Sequence, residues 1–253
     1  MYNNRKKYSQ NLIKSPNLAS KIVDSSDFKT SMILEIGPGE GALTKPLIRK
    51  YSQNKIRLIE IDKGFCDVLK EKYEQSENLK ILNMDFLRYS LPTKPFSVIS
   101  NIPFAFTSRI LERLLNPNYF MERGIFIVQK EAAEMFIGKD KESFKSLKYF
   151  PFWDFEILQN LHKTDFKPSP SVDTVLLKIS RKEESLIEKE LYKKYSMFLK
   201  KIVQDRVGEG IWKQVFTKNQ LRQIKNHTEL IFGKGIAVQD RYEILGIFKR
   251  FCK

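Results

Sequence analysis

Little in this sequence speaks for metal, redox or membrane chemistry. Its 253 residues include two cysteines and two histidines. Cys66 and Cys252 lie far apart with no ligand spacing around them, and so do His162 and His227, so no metal site is expected. No apolar run approaches the roughly 18–20 residues of a membrane-spanning helix. The N-terminal MYNNRKKYSQNLIKS carries basic residues but lacks the apolar core of a signal peptide. The expectation is a cytoplasmic monomer with no membrane partner. Acidic residues are scarce beside the basic ones: 30 Asp and Glu face 45 Lys and Arg, a net charge of +15. Such a surface attracts polyanions from a distance. Nucleic acid is the first candidate partner and an anionic membrane the second.

What is present is a rhythm. Apolar runs at SMILEIG (31–37), KIRLIEID (55–62), LKILNMD (79–85), FSVISNI (96–102) and RGIFIVQK (123–130) read as strands, most of them continuous as expected when both faces of a parallel sheet are covered. Helix-like segments separate them: ALTKPLIRK, GFCDVLKEKYEQ, TSRILERLL and EAAEMFIG. WDFEILQN (153–160) and DTVLLKIS (173–180) follow as a hairpin-like end to the sheet. The alternation predicts an α/β open sheet, mostly parallel. After Ser180 the character changes. RKEESLIEKELYKKYSMFLKKIV reads as one charged helix, ELIFG is ambiguous, and residues 181–253 hold 17 Lys and Arg against 9 Asp and Glu. The expected domains are 1–180, with an N-terminal arm at 1–14, and a small basic helical domain at 181–253 that binds RNA.

The first three strands each end in polar chemistry. LEIGPGEGALT (34–44) is a strand, a glycine-rich turn and a helix start, and Gly37, Gly39 and Ala42 formally fit the dinucleotide pattern. The loop alone therefore does not choose the ligand. The next strand ends in IEID, where Glu60, with Ile61 beside it and Asp62 beyond, offers a carboxylate to ribose hydroxyls. The third ends in NMDF, where Asp85 can accept from an adenine amine and Phe86 can pack near its ring. Ligands of open sheets bind at the carboxyl ends of strands, so three such ends make a nucleoside site.

The fourth strand ends in VISNIPFAF (98–106), with Asn101, Ile102, Pro103 and Phe104 in a row. The exocyclic amine of a base is a poor nucleophile, because its lone pair is delocalised into the ring. The Asn101 oxygen and a nearby backbone carbonyl can hold both amine hydrogens and favour a tetrahedral nitrogen. Pro103 fixes φ and removes a donor. Phe104 offers a stacking face worth roughly 1–3 kcal/mol. The sulfonium methyl of S-adenosylmethionine is the electrophile such a site suits, and positioning is the main contribution.

In this order, QNLI, LEIGPGEG, IEID, MDF, NIPF and FKPSPSVDTVLL resemble the ribosomal RNA adenine N6-dimethyltransferases over roughly residues 8–180. FTKNQLRQ (216–223) looks like the Erm branch, which dimethylates one adenine of 23S ribosomal RNA and confers macrolide–lincosamide–streptogramin B resistance. The resemblance implies a Rossmann-like class I methyltransferase fold and S-adenosyl-L-methionine as cofactor. It implies that Asn11, Ile13, Gly37, Gly39, Glu60, Ile61, Asp85, Phe86 and Asn101 contact that cofactor. Asn101 would bridge cofactor and target amine, with Phe104 and Phe166 stacking on either side of the base. The chain departs from the family's usual pattern at Ser100, where Gly is usual, and at Phe104, where Tyr is frequent.

Arg5, Lys6, Lys7, Arg109 and Arg113 are candidate RNA contacts beside the lysine-rich tail. The alternatives are the sister branch acting on small-subunit 16S RNA, and a non-catalytic RNA-binding assembly factor on the same fold. A DNA adenine methyltransferase would carry an acidic motif in place of Asn101. A dehydrogenase leaves NIPF and the basic tail unexplained.

Overall fold

The computed structural model describes residues 11–138, 141–204, 217–220, 222–223 and 241–251. Seven strands form one sheet: β2 (Met32–Ile36), β3 (Lys55–Glu60), β4 (Leu79–Asn83), β5 (Phe96–Asn101), β6 (Met121–Gln129), β7 (Trp153–Leu161) and β9 (Thr174–Arg181). Their order across the sheet is β4-β3-β2-β5-β6-β9-β7. The pairs β2·β3, β3·β4, β2·β5 and β5·β6 are parallel, and β6·β9 is antiparallel. The chain runs outward from β2 to β4, then restarts on the other side of β2 with β5. The strand order therefore reverses between β2 and β5, where open sheets form their ligand crevice. This is the mostly parallel, Rossmann-like open sheet expected from the sequence.

Most of the apolar runs form strands covered on both faces; β4, at the sheet edge, is only partly buried. Ile33, Ile56, Leu58, Ile99, Ile125 and Ile127 are at most 1% exposed and share one core. Helices α1 (Pro16–Asp24), α2 (Thr44–Lys50), α3 (Lys63–Lys72) and α4 (Thr107–Leu114) flank the sheet. Sequence periodicity missed α1, although Ser15 caps it by accepting from the Leu18 N–H and Pro16 takes the first turn. Its buried stripe, Ala19, Ile22 and Val23, is short and broken by polar neighbours.

A second, two-stranded sheet was also missed. β1 (Leu12–Ile13) pairs antiparallel with β8 (Phe166–Lys167), tying the N-terminal segment to a remote loop. The pairing is tertiary, and two residues carry no periodicity.

The chain divides into two compact units, Met1–Ala133 with Phe155–Arg181, and Glu134–Asp154 with Lys182–Lys253. The second unit contains α6 (Phe144–Tyr149), α7 (Tyr192–Gln204) and α8 (Arg241–Phe251); α5 (Lys130–Ile137) straddles the division. The single helix expected from residue 181 is corrected. The Lys182 N–H donates to the Phe152 carbonyl and the Leu186 N–H to that of Pro151, so this segment's backbone is engaged elsewhere and the helix starts at Tyr192. Within the unit, Arg241 donates from Nε to the buried Glu142 carboxylate at 2.5 Å and from Nη2 to the Ile137 carbonyl at 2.9 Å. ELIFG, His227 and Cys252 lie outside the described residues. No helix among the described residues is long and apolar enough to cross a membrane, and no metal-binding cluster occurs among them.

Candidate active site

The glycine loop leaves β2 at Ile36. Gly37 has φ +64°, and a Cβ there would meet nothing within 4 Å. The conformation calls for glycine while the space beside it stays open, the arrangement expected where a ligand meets backbone. The loop is anchored to the next strand: Gly37 N–H donates to the Ile59 carbonyl at 2.9 Å and Gly39 N–H to Glu60 Oε2 at 3.0 Å. Glu60 Oε1 accepts from the Asp62 N–H at 2.9 Å. Burial pushes the Glu60 carboxyl up, and these N–H donors pull it back toward the charged form. Asp62 has a different task. It caps α3, accepting from the Gly64 and Phe65 N–H groups at 2.8 and 3.3 Å.

Beyond Glu60 lies a cavity of about 150 Å3 lined by Gly37, Glu60, Ile61, Asp85, Phe86 and Pro103, among others. Ile61 is 42% exposed, a large apolar surface facing a hole rather than a core. Asp85 Oδ1 accepts from the Leu87 N–H at 2.8 Å and so caps the short turn Phe86–Arg88. Arg113 holds that turn. It donates to the Phe86 carbonyl at 2.8 Å and to that of Tyr89, and lies 5.3 Å over the Phe86 ring. Its guanidinium is thus engaged in shaping the cavity wall. Arg109 is exposed, lines the same cavity and lies 5.9 Å over the Phe106 ring.

At the end of β5, Asn101 Nδ2 donates to the Asn11 carbonyl at 2.7 Å. This bond fixes the amide plane and turns Oδ1 away from the N-terminal segment. Ser100 beneath it is 1% exposed and donates to the Ile36 carbonyl at 2.6 Å. Its hydroxyl ties β5 to β2 inside the sheet. Asn11, Gly37, Asn101, Pro103 and Phe104 line one narrow gap. A cleft of about 1030 Å3 shares Asn11 and Phe104 with that gap and is also lined by Ile13, Ala105, Gln129, Lys167 and Pro168. Phe104 opens a short 3-10 turn and is half-buried, while Ile102 is 1% exposed.

Phe166 is a correction. It is 1% exposed, pairs with Ile13 and packs in the central core, so it presents no face to a base. Arg5, Lys6 and Lys7 lie outside the described residues.

Glu35 was missed, although an acid in the middle of MILEI was a visible signal, because carboxylates are seldom fully buried without a partner. It is 1% exposed, accepts from Thr44 Oγ1 at 2.8 Å, and burial pushes its carboxyl up to about 8. The folded protein therefore holds a proton that the unfolded chain, near 4.5, has lost. Stability should fall as pH rises across that window, by up to about 1.4 kcal/mol per pH unit. Glu35→Gln is expected to flatten the decline of Tm with pH, with Glu60 supplying the remaining slope. An identical Tm profile in the variant would contradict this.

The cavity and gap fit S-adenosylmethionine. There is open space at Gly37, a carboxylate at Glu60, and an apolar wall of Ile61 and Phe86 beside the Asp85 carboxylate.

The chain matches the family described as "Ribosomal RNA adenine dimethylase" over residues 1–251. It is 30% identical over 249 residues to the "Ribosomal RNA small subunit methyltransferase A" of Mycoplasmopsis pulmonis, covering 95% of this chain and 97% of that one. It is 34% identical over 185 residues to the "rRNA adenine N-6-methyltransferase" of Bacillus licheniformis, covering 72% of this chain and 64% of that one. Among solved structures it is similar to that of the 23S rRNA methyltransferase ErmE, with a TM-score of 0.75 at 23% identity, covering 96% of this chain and all of that one. That likeness is one of fold.

Proposed function

This chain belongs to the ribosomal RNA adenine dimethylase family, and from that premise we propose that it dimethylates N6 of one adenine in 23S ribosomal RNA, giving macrolide–lincosamide–streptogramin B resistance. It is an rRNA adenine methyltransferase, and its methyl donor is S-adenosylmethionine. Bound at this rim, that donor supplies a methyl group on a positively charged sulfur.

The observation that carries the reading is the gap in which Gly37, Asn101 and Phe104 meet, with the Asn101 amide held by Asn11. Asn101 Oδ1 accepts one hydrogen of the target amine. The Pro103 carbonyl is taken by the Phe106 N–H at 2.8 Å, so the Ile102 carbonyl is the second acceptor in this proposal. Together they draw the nitrogen lone pair out of the ring plane and aim it across the gap. Phe104 stacks on the base from the cleft side. No strong base is needed, because the methylated nitrogen is cationic and loses its proton to water. A base within structured RNA must be turned out to reach this gap, at a few kcal/mol. Basic groups on phosphates offset that cost in a salt-dependent way. In this reading the protein works in the cytoplasm, beside its ribosomal substrate.

Glu60→Ala is expected to weaken cofactor binding about 10- to 100-fold, since it removes a charged hydrogen-bond acceptor and the anchor of the Gly39 N–H. Calorimetric titration with S-adenosylmethionine checks this, and an unchanged Kd would remove Glu60 from the site.

The 23S substrate rests on FTKNQLRQ. Its described part is a helix start, where the Gln220 N–H donates to Thr217 Oγ1 at 3.2 Å and Gln220 Oε1 accepts from the Thr217 N–H at 2.9 Å. This reciprocal capping box gives the Thr-x-x-Gln spacing a local folding role. The second reading, 16S RNA in the small subunit, is favoured by the end-to-end match to the Mycoplasmopsis pulmonis relative. Methyl transfer to protein-free 23S RNA, run beside intact 30S subunits carrying unmodified 16S RNA, separates the two. Label in 23S RNA supports the resistance reading, and label confined to 30S subunits replaces it with the second.

A further inference from the structure

We propose that Gln129 donates to N1 of the target adenine, so that it helps to choose the base and to aim its amine. The proposal rests on the methyltransferase reading above and adds a base-reading residue to it.

Its placement follows from strand register. β5 and β6 run parallel, and Asn101 at the end of β5 pairs with Ile127 of β6. Gln129 comes two residues later, so its Cα stands roughly 6–7 Å beyond that pair along the strand. Side chains two residues apart share a face of a sheet. Ile99 leads to Asn101 on one strand and Ile127 to Gln129 on the other, and both isoleucines belong to the same buried core. The two amides therefore emerge from one face of the sheet on neighbouring strands. Gln129 is half-buried and lines the cleft of about 1030 Å3 together with Phe104.

The backbone beneath Gln129 is held. The residue pairs with Thr174 of β9, and the Lys130 N–H donates to the Asp173 carbonyl at 2.9 Å. The side-chain amide is not held: it hydrogen-bonds to no described residue. Thr174, directly opposite, has a buried hydroxyl that is also without a partner. Opposed residues of an antiparallel pair keep their Cβ atoms about 4.5–5.5 Å apart. In the proposed arrangement the Thr174 hydroxyl donates to Gln129 Oε1, which leaves the Nε2 hydrogens for the cleft.

A base turned out of its helix is read on its Watson–Crick edge. Both N6 hydrogens are already assigned, to Asn101 Oδ1 and the Ile102 carbonyl. What remains beside them on that edge is N1, an acceptor, and Gln129 supplies the donor. Two amides then hold neighbouring atoms of one edge and stop the ring from turning in its own plane, while Phe104 covers its face. Guanine has an N–H at that position and an oxygen in place of the amine, so it would set donor against donor and acceptor against acceptor. If water alone pairs with the Gln129 amide, the residue has no part in choosing the base.

The test is single-turnover methyl transfer by the full chain to RNA with adenosine or 1-deazaadenosine at the methylated position, in whichever substrate of the assay above accepts label. The analogue keeps the amine and replaces N1 by C–H. The ratio of the two rates, adenosine over 1-deazaadenosine, should fall roughly 3- to 10-fold from the wild type to Gln129→Ala, the scale of one hydrogen bond. The effect of the altered ring on its amine is common to both proteins and cancels. Gln129→Glu keeps the size but sets an acceptor against N1, so its ratio should fall further. Both variants should bind S-adenosylmethionine as the wild type does. The same ratio in all three proteins would overturn the proposal and leave the methyltransferase reading intact. No transfer to adenosine by the wild type in either substrate would overturn that reading and this proposal with it.

Discussion

Asn101→Ala should lower methyl transfer on the order of a hundredfold or more, the scale seen when one preorganised polar contact to a reacting group is removed. In the proposed role, the substitution takes away the oxygen that would accept from the target amine. It also leaves the Asn11 carbonyl without the donor that now sits 2.7 Å away. The effect should fall on kcat, because the contact matters most as the nitrogen becomes tetrahedral. Asn101→Asp is the sharper variant. It keeps an acceptor but sets a carboxylate oxygen against the Asn11 carbonyl, so about a tenfold loss is expected, the scale of one charged hydrogen bond. Single-turnover rates with saturating cofactor check both. Wild-type rates in Asn101→Ala would remove the residue from the chemistry, and a fully active Asn101→Asp would show that the bond to Asn11 is dispensable.

Phe104→Ala should cut kcat/KM for RNA roughly 5- to 150-fold, from a stacking contact of about 1–3 kcal/mol, with the cofactor Kd nearly unchanged. Phe104 lines both the gap and the cleft, so its ring borders the space where a base would enter. Phe104→Tyr keeps the ring and should keep the activity. The burial of Phe166 in the core gives Phe104 more weight than two stacking residues would share. Normal turnover in Phe104→Ala would end the stacking role.

The part of the fold that could be read from the sequence is the part with local cause. Strands β2, β3, β5 and β6 are largely apolar runs because they are covered on both faces, the edge strand β4 is only partly buried, and the carboxyl ends of β2 to β5 lead to Gly37, Glu60, Asp85 and Asn101 along one rim. Those residues signal together because an open sheet forces its strand ends into one crevice. The missed features depend on distant partners. Phe166 is buried because residues Leu12 and Ile13 pair with its strand, and nothing within FKPSPS reports that. The charged stretch after Arg181 has helical spacing, but its backbone N–H groups go to Pro151 and Phe152. Asp62 looks like a ribose ligand in IEID until its side chain is seen capping the next helix. Ser100 looks like an intrusion in place of glycine, yet its hydroxyl spends itself on Ile36 inside the sheet. Glu35 stood in plain view, and only its burial distinguishes it from a solvated acid.

The central claim is that Asn101 presents an adenine N6 to a sulfonium methyl. The most direct test is to incubate the full chain with tritiated S-adenosylmethionine and protein-free 23S ribosomal RNA, digest the RNA, and identify the labelled nucleoside for the wild type and Asn101→Ala. The account predicts label in N6-methylated adenosine, ending as N6,N6-dimethyladenosine at one site, and its near absence with the variant. Label in another nucleoside, equal label with Asn101→Ala, or no label in either 23S RNA or 30S subunits from a protein that still binds the cofactor would contradict it.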